Sequence, residues 1–335
     1  MSDSSIRIAT TEMHTGGEAV RIVESGYPRL EGRTILDKRR QAREHFDRYR
    51  RLIMFEPRGH YDMYGVIPVE PDLPEADMAV LFIHNEGYST MCGHAVIALG
   101  RYAVDRGIVP AVEPVTIVRI QCPCGLVTAH VEVRDGRAGA VSFVSVPAFA
   151  AALDATVTVP GFGPVTLDIG YGGAFYAFLP AGRLGLTLEA RAGQLVEAAD
   201  AVSAAVKAQM TIEHPLEPDL GFLYGTILTD GGDGRHRPTT NVCVFADREV
   251  DRSPTGSGVT ARVALMQARG DLAPGETRRF RSITGSEFTG AIETLTDLAG
   301  RPAVTARVAG KAHYSGSAVF TVEADDPFPD GFLVR

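Results

Sequence analysis

Apolar and polar residues alternate along this chain in short blocks, and longer stretches at helical spacing are set among them. Ile6-Arg7-Ile8-Ala9-Thr10-Thr11 predicts an opening strand, and Val20-Arg21-Ile22-Val23 predicts its hairpin partner across His14-Thr15-Gly16-Gly17-Glu18. Residues 34–54 carry charges at helical spacing. Met78-Ala79-Val80-Leu81-Phe82-Ile83 is apolar throughout, as a buried strand is. From Gly93 to Val104 small and apolar residues recur at helical spacing, and Asp105-Arg106-Gly107 supplies a stop. Strands follow at 115–120, 126–133 and 140–146. Residues 147–160, bracketed by two prolines, read as a crossover between halves. The second half repeats the style, with strands at 165–169 and 175–179, a helix over 188–209, a strand at 241–245 and a helix over 256–268. Closing strands fall at 303–308 and 316–322. The pattern predicts an α/β (α+β) protein of two similar lobes facing each other across a cleft. The lobes are 1–150 and 151–319, with a C-terminal strand at 320–335 placed to rejoin the first. Clefts between domains are favoured small-molecule sites.

Bulk properties narrow the function more than the fold. The 335 residues suffice for two domains and a large core. A net charge of −8 and a pI near 5.6 leave no basic field for a nucleic-acid partner. The one basic run, Lys38, Arg39, Arg40, Arg43, Arg48, Arg50 and Arg51, reads as a solvated helix face. No apolar stretch reaches the ~20 residues of a membrane span. Met1-Ser2-Asp3-Ser4-Ser5 has neither the basic flank nor the apolar core of a secretory leader. Cysteines at 92, 122, 124 and 243 make no disulfide framework in so long a chain, which points to a reducing, cytoplasmic setting. Cys122-Pro123-Cys124 lacks metal or redox spacing, so no metal site is expected, and Cys243 reads as core. His60, His84, His130 and His236 read as surface or satisfied loop residues. Gly231-Gly232-Asp233-Gly234 is a turn without the Lys-Ser/Thr ending of a phosphate loop.

The chemistry concentrates in two segments that look like edited copies. Sliding Met91-Cys92-Gly93-His94-Ala95-Val96-Ile97-Ala98 by 163 positions sets it on Pro254-Thr255-Gly256-Ser257-Gly258-Val259-Thr260-Ala261. That register also aligns Phe82 with Phe245 and Glu86 with Glu249. Each copy runs from apolar residues to a side chain with potential chemistry and on into a helical pattern. The edit is Cys92 against Thr255. A helix start offers free N–H groups and partial positive charge, which favour a thiolate and bind a carboxylate. Gly93 and Gly256 let a substrate approach the backbone, and Asp251 is a candidate partner for a cationic amine. As a purely structural feature, Thr255 or Ser253 would instead cap a helix. A thiol exchanges protons near neutral pH and a threonine hydroxyl does not, so the pair predicts a one-sided reaction.

Cys92-Gly93-His94 and Asp251-Arg252-Ser253-Pro254-Thr255-Gly256-Ser257-Gly258 resemble the proline racemase family. So do His14-Thr15-Gly16-Gly17-Glu18, Glu56-Pro57-Arg58-Gly59-His60 and Tyr171-Gly172-Gly173-Ala174-Phe175-Tyr176. The resemblance implies two lobes of the diaminopimelate-epimerase-like fold with pseudo-two-fold symmetry, no cofactor and no metal. It also implies two cysteines acting on opposite faces of a proline ring. Thr255 stands where the second cysteine is expected, which is similar to the trans-3-hydroxy-L-proline dehydratase branch. That branch implies a hydro-lyase in which Cys92 takes the α-proton and the 3-hydroxyl departs as water, leaving Δ1-pyrroline-2-carboxylate. Cys92 and Thr255 are then the catalytic pair. Gly93, His94, Asp251, Gly256 and Ser257 bind substrate, with Asp251 on the ring nitrogen, and His14 and Tyr171 shape the cleft. The partner is a small cyclic hydroxy amino acid, with no nucleic acid or membrane, and a homodimer stays open. The alternatives are a proline or hydroxyproline epimerase and a non-catalytic amino-acid-binding protein.

Overall fold

The computed structural model describes residues 6–334, so Met1–Ser5, from which the absence of a leader was read, lie outside the described residues. The chain opens with the hairpin β1 (Ile6–Thr15) and β2 (Glu18–Ser25), turned through Gly16 and Gly17 at positive φ. Two helices follow, α1 (Ile35–His45) and α2 (Asp47–Met54). Then come β3 (Tyr64–Val69), β4 (Met78–His84), β5 (Tyr88–Ser89) and α3 (Gly93–Asp105). A meander of β6 (Val115–Cys122), β7 (Gly125–Arg134) and β8 (Arg137–Val144) leads to β9 (Phe149–Val159). The second half contains β10 (Gly163–Tyr171), β11 (Phe175–Pro180), α4 (Ala192–Gln209), β12 (Leu223–Thr229), β13 (Thr239–Phe245) and β14 (Glu249–Asp251). It closes with α5 (Gly256–Arg269), β15 (Thr277–Arg281), β16 (Glu287–Leu298), β17 (Arg301–Gly310) and β18 (Ala312–Val322).

The pairings repeat. In the first half β2 runs parallel to β3, β3 pairs antiparallel with β4, β4 runs parallel to β6, and β6, β7 and β8 form a meander. In the second half β11, β12, β13, β15, β16 and β17 pair in the same senses and the same order. The two ends are exchanged: β9 pairs with β10, and β18 returns to pair with β1. Each half wraps a central helix, α3 against β1, β7 and β8, and α5 against β9, β10, β16 and β17. β4 is buried along its whole length because it serves two cores. Met78, Val80 and Phe82 face α3, while Ala79, Leu81 and Ile83 pack with residues of α1 and α2.

Several expectations need correction. The segment 147–160 is largely strand β9, not a crossover. Its β-branched Val157, Thr158 and Val159 pair with β10 through a turn at Gly161 and Gly163. Residues 34–54 form two helices, because Phe46 leaves helical geometry at φ −128°. The first is started by a capping box in which Thr34 and Asp37 satisfy each other's backbone N–H, worth about 1 kcal/mol. The basic run is not a solvated face throughout, since Lys38, Arg39 and Arg50 are buried. Arg39 donates to the Tyr88 carbonyl at 2.6 Å and Arg50 to the His84 carbonyl at 2.7 Å, so these cations pin helices to the β4–β5 turn. α4 begins at Ala192 rather than 188. Strands β3, β5, β12, β14, β15 and β16 have no counterpart among the elements expected from the sequence. β3 contains Pro68 and β16 is largely polar, which masks the strand pattern.

Candidate active site

The two central helices meet end to end. A Cβ placed on Gly93 would lie 2.4 Å from the Gly256 Cα, and one on Gly256 would lie 2.6 Å from the Gly93 Cα. Both glycines are therefore required by the approach of the two helix starts, and backbone on each side leaves nothing to move aside. Gly93→Ala is expected to force the helices apart, costing about 1–3 kcal/mol or more and most of the site's function. Thermal unfolding together with a ligand-binding measurement checks this.

The two N-cap positions have opposite backbone conformations. Cys92 is extended, at φ −145°, and its Sγ accepts from the Ala95 N–H at 3.4 Å. Thr255 is left-handed, at φ 63°, which is uncommon for a β-branched residue. The Thr255 side chain makes no capping bond, and Ser253 Oγ instead accepts the Thr255 N–H at 3.0 Å. Capping therefore does not account for Thr255. Its Oγ1 is buried without a hydrogen-bond partner.

Cys92, Gly93, His94, Asp251, Thr255, Gly256 and Ser257 all line one nearly closed cavity of about 10 Å³, so the catalytic and substrate-binding residues expected from the sequence lie along it. Met91, Tyr64, Tyr176, Tyr224, Cys243 and Phe245 complete the wall. His94 Nδ1 lies 3.1 Å from Cys92 Sγ and 4.0 Å from an Asp251 carboxylate oxygen. The Thr15 hydroxyl, at the end of the opening hairpin, donates to the His94 carbonyl at 2.8 Å. Asp251 Oδ1 accepts the Ser253 N–H at 2.7 Å, and the Ser257 and Tyr176 hydroxyls lie 2.8 Å apart. The first-turn N–H groups of both helices converge here, a setting for a carboxylate.

Burial dominates the electrostatics. It pushes the Cys92 thiol well up, while the Ala95 N–H and the Tyr64 hydroxyl pull it down and Asp251 and Glu18 push it further up. The helix start alone therefore does not make a thiolate of Cys92, contrary to the sequence expectation. Burial also lowers His94, against the opposing pull of Asp251, and so favours a neutral imidazole. Glu18 is fully buried. Burial and then Asp251 push its carboxyl well up, although its Oε2 accepts the Arg252 N–H at 2.6 Å. Cys243 is likewise pushed up by burial and then by Asp251.

Other residues fall elsewhere than expected. His14 stacks on His313, and Tyr171 lies against His214 in a separate groove that also holds Cys124, so neither lines the cavity. His84 is neither a surface nor a loop residue. It ends β4, is buried, places Nδ1 3.1 Å from Glu249 Oε1 and stacks behind Tyr64. Cys243 is core, as read, but also lines the cavity. Sequence reasoning missed the three tyrosines and the contact of His94 with the thiol. Only the i, i+2 spacing of Cys92 and His94 at a helix start hinted at that contact. Among the described residues, no cluster of three or more His, Cys, Asp or Glu could hold a metal, and no helix is long and apolar enough to cross a membrane.

Fold and site together define an α/β enzyme whose cavity is sealed where two helix N-termini meet. The sequence profile described as proline racemase matches residues 10–333, and the chain belongs to that family. It is 56% identical over 335 residues to a Homo sapiens protein named trans-3-hydroxy-L-proline dehydratase, covering 98% of this chain and 95% of that one. It is 48% identical to a Burkholderia multivorans protein named 3-hydroxyproline 2-epimerase, covering 98% of each. A crystal structure of a hydroxyproline epimerase from Agrobacterium vitis, with trans-4-hydroxy-L-proline bound, superposes with a TM-score of 0.91 at 28% identity, covering 98% and 95%.

Proposed function

We propose that this chain is a trans-3-hydroxy-L-proline dehydratase, with Cys92 as the proton-transfer group and no working acid on the opposite ring face. The observation that carries the reading is the pairing, across one cavity, of a thiol at the first helix start with an alcohol at the second. The human relative's name agrees with it. The substrate carboxylate sits on the N–H groups of Gly93, His94, Gly256 and Ser257. The ring ammonium faces Asp251, which acidifies the α-proton. Its positive charge also offsets the carboxylate that pushes Cys92 up. Cys92, helped by the adjacent His94, then takes the α-proton. In this substrate the α-hydrogen and the 3-hydroxyl share a face, so the proton taken by Cys92 returns to the departing hydroxyl. Water leaves, and the enamine tautomerises to Δ1-pyrroline-2-carboxylate.

The four cysteines are unpaired, which suits a reducing compartment and a cytoplasmic enzyme. The return of β18 (Ala312–Val322) to β1 supports a first lobe, 1–150, completed from the C-terminus, with the joining strand beginning at Ala312 and not at 320, so the second lobe ends near 311 and not 319. The epimerase reading has one observation in its favour, the Cys243 thiol in the same cavity wall as Thr255. That thiol belongs to strand β13 and not to the helix starts at which Cys92 and Thr255 are paired, so dehydration remains the better reading.

The rate should depend on ionising a thiol whose pKa is raised. The reactive fraction then grows as pH rises, and kcat/KM is expected to climb through and beyond the ordinary thiol range near ~8.5, until the substrate ammonium titrates. A pH–rate profile already flat below neutrality would contradict this. The reading itself is tested by a substrate panel in which imine is trapped with o-aminobenzaldehyde. Trans-3-hydroxy-L-proline should give product, and L-proline and 4-hydroxyproline should not. Protection of Cys92 from iodoacetamide by substrate, with no imine formed, would favour a binding protein.

A further inference from the structure

Tyr64 places a phenol in the cavity wall to which the proton transfer described above gives no role. It opens β3, is 2% exposed and lines the cavity, and its buried Oη makes no hydrogen bond of good geometry while acting on the neighbouring Cys92 thiol. Leaving a buried donor unpaired costs roughly 1–3 kcal/mol, so the hydroxyl is placed to meet an acceptor that arrives with a ligand. The ring is fixed from three sides. It packs edge-on to His94 at 4.9 Å, stacks on His84 at 5.9 Å and meets Phe245 at 6.2 Å. His94 in turn touches Cys92 Sγ, so the phenol stands on the thiol's side of the cavity. Burial and the nearby Cys92 keep it protonated, a donor at any working pH.

Two other buried hydroxyls in the wall lack partners, Tyr224 Oη and Thr255 Oγ1. Thr255 belongs to the opposite helix start. Tyr224 comes from β12 and stacks on Phe245 at 5.3 Å, and burial, Tyr176 and Glu249 act on it more strongly than Cys92 does. Tyr64 is the orphan donor most closely tied to the thiol.

We propose that Tyr64 Oη holds the substrate's 3-hydroxyl and protonates it as it leaves, an inference that rests on the dehydratase reading above. The Cα–H bond breaks and its proton goes to Cys92 Sγ. The Cα pair forms the Cα–C3 double bond as the C3–O bond breaks, and the oxygen leaves with the C3–O bonding pair. Tyr64 gives its proton to this oxygen, making water, and Cys92 S–H refills the phenol in the same relay. No phenolate accumulates, and the sum is substrate to enamine plus water.

Tyr64→Phe removes an oxygen that makes no well-formed hydrogen bond and whose polar neighbours are the Cys92 and Ser89 side chains, so the fold should persist. Wild type and variant are compared with trans-3-hydroxy-L-proline in D2O, following imine formation and deuterium at Cα of recovered substrate. Imine formation should fall about a hundredfold, while α-deuterium exchange with retained L configuration continues and becomes the main outcome. With trans-3-chloro-L-proline, whose chloride leaves without a proton, the variant should eliminate within a few-fold of wild type. Equal loss of exchange and elimination in the variant would overturn the proposal in favour of a structural role, and an unchanged kcat would overturn it outright. A wild-type enzyme inert toward trans-3-hydroxy-L-proline would overturn the dehydratase reading and this proposal with it, so the two failures are told apart by the control.

Discussion

Cys92→Ser is expected to lower imine formation by about a thousandfold or more while leaving the fold intact. Serine keeps the shape and polarity of the side chain but has no accessible anion at working pH, so the α-proton loses its acceptor. Stability should not explain the loss. Cys92 is the N-cap of α3, where Sγ makes only a long 3.4 Å contact with the Ala95 N–H, and serine is among the preferred N-cap residues. The melting temperature of the variant should equal or exceed that of the parent. Calorimetry beside a single-turnover imine assay separates the two effects. A variant that folds and still turns over would remove Cys92 from the chemistry.

Thr255→Cys is expected to create an activity that the parent lacks. With a thiol at each helix start, the carbanion can be protonated from the second face, and the D-epimer should form at least about a hundredfold faster than in the parent. The backbone favours the change. Thr255 is left-handed, at φ 63°, and cysteine, without branching at Cβ, fits that conformation with less strain. Dehydration should persist beside epimerisation, since Cys92, Asp251 and the N–H cradle are untouched. Chiral chromatography of recovered amino acid measures the new product. The absence of epimer in a stable, dehydrating variant would mean that position 255 does not face Cα.

Much of the site was legible because its chemistry is local. A thiol, a glycine and a histidine at one helix start, and an aspartate, a threonine and a glycine pair at the other, are contiguous stretches whose spacing survives folding. The repeat was legible for the same reason, since Phe82 and Phe245 sit at matching points on β4 and β13. What stayed hidden depends on long-range pairing. β9 looks like a linker until β10 supplies its partner, and β18 belongs with β1, at the far end of the chain. Tyr64 and Tyr224 sit on strands that no simple alternation announced, and nothing local marks either hydroxyl as unpartnered. Lys38, Arg39 and Arg50 look like a solvated run because sequence gives charge but not the carbonyls that bind it. Cys92 shows the same limit in energetics: the helix start favours the thiolate, but the burial that opposes it depends on the whole assembled cavity.

The central claim is that proton exchange at Cα is confined to one face of the bound ring. Incubation of the unmodified enzyme with trans-3-hydroxy-L-proline in D2O, with recovered substrate resolved by chirality and mass, tests it most directly. Imine should accumulate, and any deuterium at Cα should sit in the L form alone. Appreciable D-epimer carrying deuterium at Cα would contradict the account.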